Sequence, residues 1–255
     1  MSDPEKRVQC SLHGETPATF VCRHLRFGVG CGFHASAEDA GDPWPDAWCD
    51  RCEAAFQRYG EWNASNEPEI RLLCAGCYDT ARVRNGYVPA PLVPGQLQVD
   101  EAAYAELACA ACERCKVRQE ASKKAWPKFA ASKRWHYDDE ARTIRFFDER
   151  PGMAVVANVT ITGSFSTRTS SWMWAWANDG YSDAERAAVA PLRVFGEVRG
   201  IEKLESGHWN GEEVDGWEVT QIAADLLRAE AVYRAPFDHL LVFMLLNELR
   251  EEHVP

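Results

Sequence analysis

From residue 128 onward the apolar positions alternate, the rhythm of half-buried strands. "RWHYDDEARTIRFFD" sets Trp135, Tyr137, Ile144 and Phe146 at strand spacing around a turn at Asp138–Ala141. "MAVVANVTITGSF" keeps Val155, Ala157, Val159, Ile161 and Gly163 on one parity, and "SSWMWAWAN" does the same with Trp172, Trp174 and Trp176. "STRTS" between them (Ser166 to Ser170) has hairpin-loop length, and "NDG" (Asn178 to Gly180) ends the second run in turn residues.

Helical spacing appears in three places. "VDEAAYAELACAACERCKVRQEASKKAW" opens with Asp100 as a cap and continues with Ala102, Ala103, Glu106 and Leu107. Asp183 caps "AERAAVA", and Pro191 is the expected stop because it lacks the N–H that a helix interior needs. "EVTQIAADLLRAEAVY" places Ile222, Ala223, Leu226, Leu227 and Ala231 near one face. "HLLVFMLL" (His239 to Leu246) suits a buried strand by its length, although "NELREE" after it suits a helix; the strand is favoured. The expectation is an α+β protein, with an antiparallel sheet carrying helices on one face.

Before residue 90 little periodicity is visible, and cysteine takes its place. All ten cysteines lie at or before Cys115. "GYVPAPLVPG" (Gly86 to Gly95) carries three prolines and reads as an extended linker. These shifts divide the chain into a small Cys/His module at 8–88, a linker and helix at 89–127, and an α+β domain at 128–255.

The module holds Cys10-x2-His13, Cys22-x-His24, Cys31-x2-His34, Cys49-x2-Cys52 and Cys74-x2-Cys77. A C-x2-C or C-x2-H pair lets one tight turn offer two donors to one ion, and two such turns complete a tetrahedron. Cys49/Cys52 and Cys74/Cys77 are 21 residues apart, close to zinc-ribbon separation, so these four thiols are expected to form one site. The other site takes Cys10 and His13 with either Cys22 and His24 or Cys31 and His34; spacing alone slightly favours the second pair. Thiolate-rich sets favour zinc over hard cations. Both sites would be closed by four protein ligands, so the two zinc ions would be structural. Cys109, Cys112 and Cys115 fall at i, i+3, i+6 of a helix and are expected to be buried small residues. A redox thiol beside Arg114, Lys116 and Arg118, or part of a metal site, is the alternative.

The chain has 255 residues, 46% hydrophobic and 26% charged, ordinary values for a globular protein. No apolar run approaches the roughly 20 residues of a membrane span. "MSDPEKRVQC" lacks the apolar core of a signal peptide, so a cytoplasmic protein with reduced thiols is expected. The net charge of −11 is uneven: residues 136–255 carry 21 acidic and 11 basic side chains, a net of −10. That excess disfavours nucleic acid; it either aids solubility alone or attracts a basic protein partner. The only basic stretch runs from Arg114 to Arg134.

"CSLHGETPATFVCRHL", "PDAWCDRCE" and "LLCAGCY" resemble a zinc-binding-like N-terminal module of uncharacterised bacterial proteins, over roughly residues 8–84. The resemblance implies that Cys10, His13, Cys22 and His24 form the first site, with Cys49, Cys52, Cys74 and Cys77 forming the second. "ITGSFSTRTSSWMWAWAND", with "VFGE" and "VYRAP", resembles a bacterial family of unknown function with a W-x-WAWAN signature, over roughly residues 128–246. Such domains are similar to immunity-type proteins of polymorphic toxin systems, so the resemblance implies a non-catalytic inhibitor of a bacterial toxin.

Trp172, Trp174 and Trp176 on one strand face would serve either as core or as a partly open partner-binding patch rimmed by Asn178 and Asp179. The expected function is therefore a non-catalytic interaction protein with an acidic aromatic face. Two alternatives stand beside it. One is an enzyme using His136, His208 or His239 with Asp179, Asp215 or Asp238. The other is nucleic-acid binding through the zinc module and the basic stretch.

Overall fold

The computed structural model describes residues 7–36, 42–86, 101–132, 134–147 and 152–253. The expected linker from residue 87 on, the Asp100 cap and Lys133 of the basic stretch lie outside these residues. The protein is mixed α and β with antiparallel sheets, and its chain divides into two compact units. One comprises residues 1–104 with 190–205, the other 105–189 with 206–255.

In the first unit the described elements are β1 (Arg7–Cys10), β2 (Gly14–Cys22), α1 (Arg23–Phe27), β3 (His34–Ala35), β4 (Ala47–Trp48), α2 (Asp50–Tyr59), β5 (Ile70–Cys74) and α3 (Ala75–Gly86). The sheet runs β1-β2-β4-β3, with β5 also paired to β2; among the described strands only β2 and β4 run parallel. The strands are short and the core is small: Val21, Leu25, Leu73, Tyr78 and Ala81, joined by Val198 from the distant segment 190–205. Almost every ligand-type residue stands where an element ends or begins. Cys10 ends β1, Cys22 ends β2 and caps α1, Cys49 caps α2, and Cys74 ends β5 directly before α3.

In the second unit α4 (Glu101–Ala125, from Ala105 on) and α5 (Pro127–Ala131) precede β6 (Arg134–Asp138), β7 (Thr143–Phe147), β8 (Met153–Ser166) and β9 (Ser171–Trp174). α6 (Asp183–Arg199) belongs to this unit as far as Val189 and to the first from Ala190, as does the short α7 (Glu202–Glu205). β10 (His208–Asn210), α8 (Glu213–Leu226), β11 (Ala231–Phe237) and β12 (Leu240–His253) complete the chain. The sheet runs β10-β9-β8-β12-β11, with β7 also on β8 and β6 on β7, and every pair is antiparallel. The hairpin turns after Asp138 and after Ser166 fall where the sequence places them.

Two local expectations are corrected, and the strand favoured at His239–Leu246 is found as β12. Pro191 does not stop its helix: α6 continues to Arg199. Proline removes one backbone bond, but Leu192, Phe195 and Val198 recur at helical spacing and are all buried, and that burial outweighs the loss. "RAEAVY" does not extend α8; Arg228 turns into the left-handed region (φ 56°) and Ala231 begins β11. "NELREE" is not helical but continues β12, a strand of 14 residues.

The tryptophan run is corrected too. Trp172 and Trp174 are 0% exposed, so they form core instead of an open aromatic patch. Trp172 lies edge-on to Trp174 (5.4 Å) and Phe243 (5.2 Å), and α8 approaches so closely that a Cβ at Gly216 would sit 3.0 Å from its ring. Trp176 leaves the alternation, because β9 ends at Trp174 and a 3-10 turn covers Ala175–Ala177. Asn178 closes the following turn by accepting the Gly180 N–H (2.9 Å), and the exposed Asp179 pairs with Arg186 (3.1 Å).

The basic stretch is partly engaged within its own unit. Asp225 is buried on α8, and α4 reaches it with Arg114 (2.8 Å) and Arg118 (3.2 Å). Cys115, between those arginines in sequence, is buried and donates to the Gln221 carbonyl at 3.2 Å. Burial pushes its thiol up to about 11, so it is an inert packing cysteine, whereas Cys109 is exposed. The three helix cysteines therefore share no single environment.

Candidate metal centres

Two groups of four donors gather in the first unit: Cys10, His13, Cys74 and Cys77, and Cys22, His24, Cys49 and Cys52. Within each group all the ligand atoms lie within 4.8 Å of one another. These are the eight residues singled out in the sequence, but differently partnered. The outermost pairs in the chain join each other, and the inner pairs join inside them, so the first centre closes over the second in sequence. β2 explains the exchange. It pairs with β1 along its first half and with β5 along its second, with Cys10 opposite Gly14 and Cys74 opposite Ala18. The hairpin knuckle at Cys10–His13 thus meets the start of α3, and the Cys22–His24 turn is left to meet the start of α2.

Helix starts supply half the donors. Cys49 caps α2 and Cys52 is its third residue; Cys74 directly precedes α3 and Cys77 is its third residue. Cap and third-residue side chains converge at the first turn of a helix. The free N–H groups there point at the sulfurs, as in Cys77 N–H donating to Cys74 Sγ (3.3 Å). Gly76 stands between Cys74 and Cys77, and the His13 ring lies over it; a Cβ there would come within 2.7 Å of the ring.

The spacing fits a tetrahedral ion. Bonds of about 2.3 Å to sulfur and 2.0–2.1 Å to nitrogen imply edges of roughly 3.8 Å between sulfurs and 3.6 Å between sulfur and nitrogen. In the first centre Cys10 and Cys77 sulfurs are 3.9 Å apart, and His13 Nδ1 is 3.7, 3.3 and 3.6 Å from Cys10, Cys74 and Cys77. In the second, Cys49 and Cys52 sulfurs are 3.6 Å apart, and His24 Nδ1 is 3.4 and 3.5 Å from them. A disulfide would need about 2.05 Å.

The electrostatics call for a cation. Hydrogen bonds from Cys49 and Cys52 hold the Cys22 thiol far below its ordinary range, while burial holds Cys49 well above it. The same contact with Cys22 pushes Cys52 up to about 12. In the first centre the backbone N–H groups of Leu12 and His13 lower Cys10 to about 6, and burial raises Cys77 to about 11. The thiolate is therefore favoured at Cys22 over Cys49 and Cys52, and at Cys10 over Cys77. A divalent ion would replace the thiol protons with a charge able to stabilise all the thiolates. Either group could hold a metal ion, and each fills four positions with protein donors.

Residues outside the motifs surround the second centre. Glu197, from the end of α6, places a carboxylate 3.6 Å from Nε2 of His24, the nitrogen opposite the ligand atom. Glu197 is itself held by Arg23 and, through its carbonyl, by Arg51 (2.8 Å). A carboxylate behind a ligating histidine orients the ring and raises its basicity. Glu197→Gln is therefore expected to weaken metal binding at the Cys22 centre by roughly tenfold. The Cys10 centre should be unchanged, as competition with a chromophoric chelator would show; an unchanged affinity at the Cys22 centre would refute the role.

Cys31 and His34, the alternative ligand pair, take no part in either group. Cys31 is buried, donates to the Val29 carbonyl (3.5 Å), and is raised by burial. His34 Nε2 lies 2.7 Å from Asp50 Oδ1, and the carboxylate's other oxygen receives Arg199 at 2.7 Å. Arg199 is 2% exposed and also donates to the Gly30 carbonyl (3.0 Å). Gly32, at φ 76°, lies against Asp50; a Cβ there would overlap the carboxyl group. Asp50 is the first residue of α2, so this cluster fixes the helix start that carries Cys49 and Cys52. Sequence reasoning missed Glu197, Asp50 and Arg199, and the one available signal was the continued helical spacing of Leu192, Phe195 and Val198 past Pro191.

No curated protein and no solved structure is significantly similar to the chain. A family of unknown function, DUF6882, matches residues 105–249. That span covers more than half of the chain, holds β6 to β11 with β12 as far as Leu249, and includes Glu197 and Arg199, so the protein belongs to the DUF6882 family.

Proposed function

We propose that each centre holds a structural zinc ion, and that the protein is a non-catalytic interaction protein of the bacterial cytoplasm. The single observation that carries the zinc reading is the pair of four-donor groups at tetrahedral spacing. Thiolate and imidazole donors select zinc over hard cations, and four protein ligands leave no position for water or substrate. With zinc in place, β1, β2 and β5 with the start of α3 would form a zinc-ribbon-like element.

The partner reading rests on charge. The region from 136 on has an acidic excess of ten, and Asp139, Glu140, Glu212 and Asp238 in it are exposed. A basic protein is the partner that such a surface attracts, and an immunity-type inhibitor of a bacterial toxin is the form we favour. With Trp172 and Trp174 in the core, contact would fall to these carboxylates, with Asp179 and Asn178 beside Trp176. Nucleic-acid binding loses support, because Arg114 and Arg118 of the basic stretch are engaged with Asp225. Among the described residues no helix is long and apolar enough to cross a membrane.

The test is co-expression with a toxin encoded beside the gene. A one-to-one complex whose formation abolishes toxicity, and which weakens steeply with salt, is expected. Undiminished toxicity would refute the inhibitor reading.

A further inference from the structure

Beside the second metal centre the first unit opens a cleft of about 360 Å3. Phe20, Trp48, Trp62 and Ile70 give it apolar walls, and Asp46 and Glu67 stand at it. The volume falls in the ~300–1,000 Å3 range of small-ligand sites. Among the described residues no lysine or arginine lines it.

The walls are held in place. Trp48 donates from Nε1 to Glu53 (2.6 Å) and meets Trp62 edge-on, with centroids 5.8 Å apart and ring planes at 83°. Phe56 packs on Trp62 at 5.0 Å from behind. Cys22 lines the cleft as well, so the metal centre braces one side. Asp46 accepts the Phe20 N–H at 3.3 Å, which aims its carboxylate without neutralising it.

Two indoles at right angles form a corner of ring faces, and ring faces attract cations. Two carboxylates add charge of the matching sign. A compact ammonium with its methylene stem fills such a corner, whereas a planar guanidinium stacks on one face at a time. We propose that this cleft binds the ammonium end of a lysine side chain presented by a partner protein. The inference stands on the cleft alone and goes beyond the toxin reading.

The test uses the full-length, metal-loaded chain and its tryptophan fluorescence. It is titrated with a capped Gly-Gly-Lys-Gly-Gly peptide and with arginine and norleucine counterparts. The lysine peptide is expected to bind, with the other two roughly fivefold or more weaker. Asp46→Asn/Glu67→Gln, two exposed and near-isosteric changes, is expected to abolish the lysine preference while the metal content stays the same. Norleucine binding as tightly as lysine would mean a merely apolar cleft and overturn the proposal, as would a preference for arginine or no binding at all. Butylammonium binding as tightly as the peptide would assign the cleft to a free amine and overturn a protein partner.

Discussion

Stripping the metal is expected to unfold the Cys/His unit and leave the β8–β12 sheet standing. A structural zinc contributes roughly 10–16 kcal/mol in small zinc-binding peptides. Whole domains have only about 5–15 kcal/mol of net stability, so a small core such as Val21, Leu25, Leu73, Tyr78 and Ala81 does not replace the ions. The second unit has its own core around Trp172, Trp174, Phe243 and Leu246, each under 2% exposed. Amide hydrogen exchange after chelation should therefore rise across residues 7–86 and, far away in sequence, across 190–205. β8 and β12 should keep their protection. The Cys10 centre should lose metal first, because His13 is exposed there while all four donors of the other centre are buried. Lowering the pH should act like chelation, because thiolates and imidazoles must shed protons to bind metal. Unchanged exchange in the first unit after complete metal removal would contradict this account.

Asp50→Ala is expected to cost about 3 kcal/mol, the lower end of the range for removing one partner of a buried ion pair. The loss is large because Arg199, 2% exposed, would keep its charge with no carboxylate to balance it among its described contacts, the Gly30 carbonyl and the Phe195 ring. Asp50 is partly exposed, which holds the figure to that lower end. Adding Arg199→Met should recover part of the loss, and a double-mutant cycle in urea measures the coupling. Equal additive losses would contradict the pair. The signs of the pH dependence follow from the same cluster. Burial would raise the Asp50 carboxyl, but the His34 hydrogen bond and the Arg199 charge outweigh it and hold it below its ordinary value. Its contribution is present above that ordinary value and fades as pH falls through the lower folded one. The hydrogen bond to Asp50 raises His34, so its contribution is full below about pH 6.5 and fades as pH rises through the higher folded value.

The strands after residue 128 were readable because their large apolar residues keep one parity, although only β6 comes near to alternating burial and β8 is buried along most of both faces. The Cys/His donors were readable because short C-x2-C and C-x2-H spacings need only one turn. Their partnering was not, since four similar pairs can be joined in several ways, and β2 decides by pairing with both β1 and β5. Local rules failed where long-range packing wins. Pro191 reads locally as a stop, although buried Leu192, Phe195 and Val198 carry α6 on to Glu197 and Arg199. The tryptophan run left open whether its face was covered, and Gly216 on α8, which lets the helix close on Trp172, carries no such meaning in sequence alone.

The nested partnering of the eight donors is tested most directly by zinc content per chain in paired serine variants. The natural sequence should carry two ions. Cys10→Ser/Cys74→Ser should keep one, and Cys22→Ser/Cys49→Ser should keep one, since each pair empties a single centre. Cys10→Ser/Cys22→Ser should keep none, because it breaks both. One ion retained in Cys10→Ser/Cys22→Ser and none in Cys10→Ser/Cys74→Ser would contradict the structure and restore partnering in sequence order.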